Sequence, residues 1–422
     1  MEQAYRRYVG IDWATKAHQV CVIDAGGQIL EERSVEHAGL AIAQFVDWLT
    51  RISDGDPAST AVAIETPRGA IVEVLVERGF HVLAVNPKQL DRFRDRHTVA
   101  GSKDDRRDAF VLADSLRTDQ PCFRRVLADD PVIIQIRELS RVDEDLQQDA
   151  NRLQNRLREQ LHRFFPQMLR LSSAADEPWL WALLELAPSP SAAAELRKGR
   201  VEKLLRSHRI RRLSADDVLR ELKAPPLQVA AGAVEAACAH IALLLPRLRL
   251  VHAQRADCGR RIEALLEKLA TEGATEGQKC EHRDVQILRS LPGVGRVVVA
   301  TMLAEASQPL AKRDYHALRA HAGVAPVTKQ SGKRAHVVMR HGCNARLRNA
   351  LYHWARVSTQ VDPLSRDQYA ALRRRGHSHG RALRTVADRW LRVLVAMLKS
   401  ATLYDPSRLR RVPTGAASAV TA

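Results

Sequence analysis

Over the first 120 residues, short apolar runs are closed by single acids or glycines. Tyr8-Val9-Gly10-Ile11 ends in Asp12 and predicts a buried strand. His18-Gln19-Val20-Cys21-Val22-Ile23-Asp24 predicts a second strand. Ala25-Gly26-Gly27 predicts a hairpin turn into Gln28-Ile29-Leu30. Leu40, Phe45, Trp48 and Leu49 have helical spacing. Ala61-Val62-Ala63-Ile64 is another buried-type strand, closed by Glu65. A helix is expected from Ala70 to Arg78, a strand from Phe80 to Val85 after Gly79, and a helix from Asp105 to Leu116. The order β-β-β-α-β-α-β-α is that of a ribonuclease-H-like α/β fold.

Beyond Pro131 the period changes. Ile134, Ile136, Leu139, Val142, Leu146, Leu153, Leu157 and Leu161 keep near-heptad spacing up to Phe165, which predicts one long helix, a coiled-coil arm closed by Pro166. Ala174 to Leu227 reads as less regular, broken by Pro188, Pro190, Pro225 and Pro226. Val229 to Leu269 is helical again, with an interruption expected at Pro246, and the two long helices are expected to pair in opposite directions. Thr271 to Cys280 reads as a linker, and a mostly helical domain follows. The expected divisions are 1–125 (α/β), 126–280 (helical, coiled coil), 281–405 (all-α) and a disordered tail, 406–422.

Composition adds charge to this picture. The 422 residues carry 66 Lys and Arg against 49 Asp and Glu, a net charge of +17. From Ser331 to Ser400 there are fifteen Lys or Arg and three Asp, so most of the surplus lies in one stretch. Such a density points to a polyanion, and the preference for arginine suits phosphate. Six scattered cysteines form no CxxC pair, which argues against a zinc site or a disulfide scaffold and for reduced thiols. No apolar run reaches the length of a membrane span, and the N-terminus lacks the apolar core of a signal peptide.

The acids at strand ends are the first candidate chemistry. Asp12 and Glu65 each follow a hydrophobic strand, where a buried carboxylate needs a cation. Asp105 and Asp108 are spaced i, i+3 at the start of a helix. Several converging carboxylates suit a hard divalent cation such as Mg²⁺. Taken singly, each acid also reads as a strand-end, turn or helix-capping residue; Asp104 in particular is a candidate N-cap.

Leu291-Pro292-Gly293-Val294-Gly295 between two helices has the form of a helix-hairpin-helix turn. Gly293 and Gly295 would let backbone amides approach a phosphate. In Lys329-Gln330-Ser331-Gly332-Lys333, a serine lies between two lysines beside a glycine; on spacing alone it is a loop residue, a phosphate contact or a nucleophile. Arg346 and Arg348 open a basic helix, and Arg373, Arg374 and Arg375 form a run.

Seven blocks occur in order: Ile11-Asp12, Ile64-Glu65-Thr66, Asp105-Arg106-Arg107-Asp108-Ala109, Leu291 to Gly295, Ala322-Gly323-Val324-Ala325-Pro326, Gln330-Ser331-Gly332 and Asn344-Ala345-Arg346-Leu347-Arg348. Together they resemble the insertion-sequence 110 family of transposases, DEDD-type recombinases guided by a bridge RNA. The resemblance covers roughly residues 7–118 and 284–400, and the middle is similar only in being helical. It implies that Asp12, Glu65, Asp105 and Asp108 form a RuvC-like tetrad binding Mg²⁺, with Mn²⁺ as a substitute, and it selects Asp105 over Asp104. Ser331 matches the family serine that joins DNA covalently. The implied partners are donor DNA, target DNA and a structured noncoding RNA. The implied assembly is a dimer to tetramer, and the implied place is the bacterial cytoplasm at the nucleoid. Lys329, Lys333, Arg346, Arg348, Arg373, Arg374 and Arg375 would grip nucleic-acid backbone with Gly293 and Gly295. One departure is that Cys343 and Ala345 interrupt a Gly-Asn-Arg-like run common in the family. Two other readings compete: a metal-dependent junction-resolvase-like nuclease acting without the serine, and a non-enzymatic nucleic-acid-binding protein.

Overall fold

A computed structural model describes residues 5–97, 104–126, 130–230, 232–271, 279–332 and 334–409, with the side chains of 88, 97, 279–283, 331, 408 and 409 outside the description. The chain divides into two compact units, Met1–Asp130 and Pro131–Ala422.

The first unit holds β1 (Arg7–Asp12), β2 (Ala17–Asp24), β3 (Ile29–Glu36), α1 (Gly39–Ile52), β4 (Thr60–Ile64), α2 (Ala70–Glu77), β5 (His81–Ala84), α3 (Pro87–His97), α4 (Asp105–Thr118) and β6 (Arg124–Arg125). The six strands form one sheet in the order β3-β2-β1-β4-β5-β6. β1, β4 and β5 run parallel in its centre, flanked by antiparallel β2, β3 and β6. This mixed sheet is consistent with the ribonuclease-H-like fold. Alternation along the strands sorts side chains to two faces. Val9, Ile11, Val62 and Ile64 pack with Phe45, Leu49 and Leu75 from α1 and α2. Tyr8, Ala61 and Ala63 pack with Leu90 and Phe93 of α3 and with Leu112 and Leu116 of α4. The pattern did not reveal α3, whose sequence PKQLDRFRDRH is too polar to show an apolar stripe, or the two-residue β6.

The second unit begins with α5 (Pro131–Phe164), one uninterrupted helix. Then come α6 (Gln167–Leu171), α7 (Pro178–Leu186), α8 (Pro190–Ala194), α9 (Lys198–Ser207), α10 (Ala215–Leu222) and α11 (Ala233–Thr271). The stretch of irregular pattern is thus a set of short helices. They enclose a core with Trp179, Trp181, Leu153, Leu157, Ile241 and Leu245. Pro190, expected to break the pattern, starts an element instead, as does Pro178; both occupy first turns, where a missing N–H costs nothing. α11 also runs through Pro246 without a break. Cys258 faces Leu139, Arg255 pairs with Asp143 at 3.2 Å, and Ile241 to Leu248 meet Leu153 to Leu161. Positions rising along α5 meet positions falling along α11, so the two are antiparallel. Within the heptad stripe of α5, Ile136, Leu153, Leu157 and Leu161 are covered by the same chain, whereas Ile134 and Val142 are exposed.

The unit closes with α12 (Lys279–Ser290), α13 (Arg296–Glu305), α14 (Ser307–Ala311), α15 (Tyr315–His321), β7 (Val327–Ser331), β8 (Arg334–Val338), α16 (Ala345–Val361), α17 (Pro363–Arg374), α18 (His379–Ser400) and α19 (Pro406–Leu409). The β7–β8 hairpin departs from the all-α expectation for 281–405, and α19 is a turn of helix where the disordered tail is expected to begin; the residues after 409 lie outside the description. Trp354, Trp390, Leu288, Met302 and Leu391 are buried in its core with Ile133 and Ile136 of α5. Among the described residues, no helix is long and apolar enough to cross a membrane.

Candidate functional site

Two features of the first unit position its acids. Ile11 and Ile64 are opposite each other on the parallel strands β1 and β4, so Asp12 and Glu65 are the next residues on neighbouring strands. Gly10 then seats α4. A Cβ at Gly10 would lie 1.9 Å from the Ala109 carbonyl oxygen and 2.6 Å from the Ala113 amide nitrogen. Only glycine lets the α4 backbone lie on β1 this closely. Asp108 precedes Ala109 and is drawn in with it, to 3% exposure. Asp105 opens α4 and remains exposed. Asp104 is the N-cap: its carboxylate accepts from the Arg106 amide at 3.1 Å.

Arg94 of α3 sits between Asp108 and Glu65. Its Nε donates to one Asp108 oxygen at 2.8 Å and its Nη2 to the other at 3.0 Å. Nη1 donates to Asp91 at 2.8 Å, and Nη2 is 4.0 Å from Glu65. Among the described residues, no three His, Cys, Asp or Glu side chains are grouped to hold a metal ion. Asp108, Asp91 and Glu65 are arranged around a guanidinium instead. The residues nonetheless fit a divalent cation in kind. The donor set is oxygen only, as Mg²⁺ prefers, and the buried Asp108 already requires a cation.

A histidine pair lies next to Asp12. His18 is wholly buried; its Nδ1 accepts from the Ala14 amide at 3.3 Å, and its Nε2 is 2.9 Å from His37 Nδ1. Burial, and then the His37 ring, hold His18 below its ordinary pKa and favour the neutral ring. With Trp13 against both rings, the pair fixes the turn that leaves Asp12.

In the second unit, Ser331 ends β7 directly opposite Arg334 of β8, with Lys329 opposite His336. Gly332 turns the hairpin at φ +54°. The side chain of Ser331 and all of Lys333 lie outside the described residues. Lys329, Arg334 and His336 are exposed, so the serine's backbone lies in a cationic hairpin.

The Pro-Gly turn separates α12 from α13 as the pattern suggests, but its glycines differ. Gly293, at φ +80°, lies where a Cβ would be 2.8 Å from the Ser358 amide nitrogen of α16. Its freedom serves packing, reinforced by the bond from Trp354 Nε1 to the Pro292 carbonyl at 3.0 Å. A Cβ at Gly295, at the start of α13, would meet open space. Arg346 is engaged within the chain, Nε to Glu144 at 2.5 Å. Arg348 Nη1 lies 3.8 Å from Cys343 Sγ, and Cys343 in turn packs under Gly323. Asn344 caps α16 through the Leu347 amide at 3.0 Å. Arg373, Arg374 and Arg375 are exposed at the C-terminal end of α17, where the helix dipole also favours cations.

Sequence reasoning did not single out Gly10, Arg94, His18 or Arg334. A glycine inside an apolar strand was the available signal for Gly10. Arg94 had only an Asp91-x-x-Arg94 spacing in an otherwise polar helix, which any surface helix shows.

The chain is similar to known proteins over most of its length. The family model DEDD_Tnp_IS110, described as a transposase, matches residues 9–166, and one described as the transposase IS116/IS110/IS902 family matches residues 285–370. A putative transposase, y4uE, of Sinorhizobium fredii is 49% identical over 211 residues, covering 49% of this chain and 58% of that protein. The chain thus spans just over half the length of this relative in the match. The mini-circle putative transposase for IS117 of Streptomyces coelicolor is 31% identical over 415 residues, 96% of this chain and 97% of that protein. The insertion element IS900 uncharacterized 42 kDa protein of Mycobacterium paratuberculosis is 26% identical over 409 residues, 95% of this chain and 97% of that protein.

Proposed function

Given that the chain belongs to the IS110 family of transposases, we propose that it cuts and rejoins DNA through a phosphoserine intermediate. Asp12, Glu65, Asp105 and Asp108 would hold a divalent cation, Mg²⁺ with Mn²⁺ as a substitute. The observation that carries the acidic half of this reading is the seat of α4 on Gly10, which draws the buried Asp108 against the strand that ends in Asp12. When bound, the cation neutralises charge on the scissile phosphate and orients it.

The chain's own residues supply the rest. The Ser331 hydroxyl oxygen forms a bond to phosphorus while the bond from phosphorus to the 3′ oxygen breaks. The electron pair leaves on that oxygen, which takes up a proton as the 3′-hydroxyl forms, and the serine proton passes to solvent. Rejoining is the reverse, with the 3′-hydroxyl of the other DNA as nucleophile. Lys329 and Arg334, neighbours of Ser331 in the hairpin, give the phosphate cationic contacts. The exposed Lys and Arg of the basic stretch after Ser331, Arg374 and Arg375 among them, supply backbone grip without reading sequence, which suits target choice by base pairing to a bridge RNA. The functional divisions are 1–125, 126–280 and 281–405 with a tail, working as a dimer to tetramer on DNA at the bacterial nucleoid. In this reading one reaction centre is composite, its serine coming from one subunit and its acids from another.

Ser331→Ala tests the reading. Cleavage reactions with purified protein, RNA and DNA are denatured, digested and examined by mass spectrometry. The expected result is a nucleotide on the Ser331 peptide of the parent protein and no denaturant-resistant adduct in Ser331→Ala. Full-rate cleavage by Ser331→Ala would favour the metal-only resolvase reading instead.

A further inference from the structure

We propose that Arg94 is a resident counter-ion of the acidic site, and that it must release Asp108 before a divalent cation can be held there. The inference rests on the metal-binding reading above and adds an internal competitor to it.

Asp108 is 3% exposed, so water cannot solvate its charge. Arg94 balances that charge with a two-pronged grip at 2.8 and 3.0 Å that uses both carboxylate oxygens. A divalent cation needs one of those oxygens at about 2.0–2.6 Å and repels a guanidinium beside it. The two cations therefore compete for one buried anion, and whichever leaves must be replaced as it goes.

Arg94 also has a place to go. Asp91, one turn earlier on α3, already accepts from Nη1 at 2.8 Å, and its side chain is 66% exposed. The released guanidinium keeps one partner at the solvent edge. Glu65, at 4.0 Å from Nη2, loses a cation neighbour at the same moment and is freed to act as a second ligand. The fork thus keeps the carboxylates paired and folded until a stronger cation arrives, and ties metal uptake to movement of α3's side chain.

The test is Mn²⁺ binding to the full-length protein, followed by the electron paramagnetic resonance signal of free Mn²⁺, with melting temperatures in chelator and in Mn²⁺. Arg94→Gln should bind Mn²⁺ about tenfold more tightly than the parent. It should also melt lower in chelator and gain more from Mn²⁺, because the buried Asp108 then depends on the ion. Arg94→Lys, which keeps the charge but loses the fork, should fall between the two. Asp91→Asn changes only an exposed side chain; by removing the alternative partner it should tighten the grip on Asp108 and weaken Mn²⁺ binding. Unchanged or weaker Mn²⁺ affinity in Arg94→Gln, with binding in the parent still abolished by Asp12→Asn and Glu65→Gln, would overturn the competition while leaving the metal site standing. Absence of any Mn²⁺ site in both parent and Arg94→Gln would overturn the metal reading, and this proposal with it.

Discussion

At Gly10 a single added carbon would lie 1.9 Å from a main-chain oxygen of α4, and main chain cannot swing aside as a side chain can. Gly10→Ala must therefore lift α4 from β1 and carry Asp108 with it. The expected cost is about 1–3 kcal/mol, the range for an overfilled core. Melting temperature would show the loss, and DNA cleavage should fall further than stability does because Asp108 moves away from Asp12. An unchanged melting temperature would mean that the seat is softer than the geometry implies. Gly10 could be suspected from sequence, since a glycine inside an apolar strand wastes packing unless something lies on it. Arg94 could not, because its meaning comes from Asp108 fourteen positions away.

Among the elements, α11 overrides a local rule. Pro246 lacks the N–H that would bond one turn back, at a cost of about 3 kcal/mol in a helix interior. The helix continues because Leu244, Leu245 and Leu248 beside it are buried, and each such side chain contributes about 1.5–3 kcal/mol. Pro246 itself is exposed, so its ring displaces nothing in the core. Pro246→Ala should stabilise the protein by about 1–3 kcal/mol, seen as a higher urea midpoint at an unchanged slope. A lower midpoint would show that the proline bends α11 into a shape its partners need. The heptad spacing of α5 and its antiparallel pairing with the second long helix were legible from sequence; which residues meet, such as Cys258 with Leu139 and Arg255 with Asp143, follows only from the fold.

For the whole molecule the relevant quantity is charge. The surplus is concentrated after Ser331, yet the fold uses some of those cations internally, as Arg346 with Glu144 shows. Arg373, Arg374 and Arg375 are exposed, although Arg373 Nη1 also donates to the His377 carbonyl at 2.7 Å. Replacing all three by Gln should weaken DNA or RNA binding about equally for every sequence. The slope of log affinity against log salt should flatten by about one unit for each phosphate left without its arginine. A loss confined to one sequence would mean that these arginines read bases. The sequence by itself determined the order of strands and helices along the first unit apart from α3 and β6, the long helices, the basic stretch and the ordered blocks that carry the family resemblance. Each of these is written in local period, local charge or local motif. The tertiary structure alone decided that Arg94 grips Asp108, that Gly293 packs while Gly295 lies open, and that short helices between prolines build a core around Trp179 and Trp181. Those outcomes depend on which residues distant in the chain meet, and the energy of such meetings is absent from any local window.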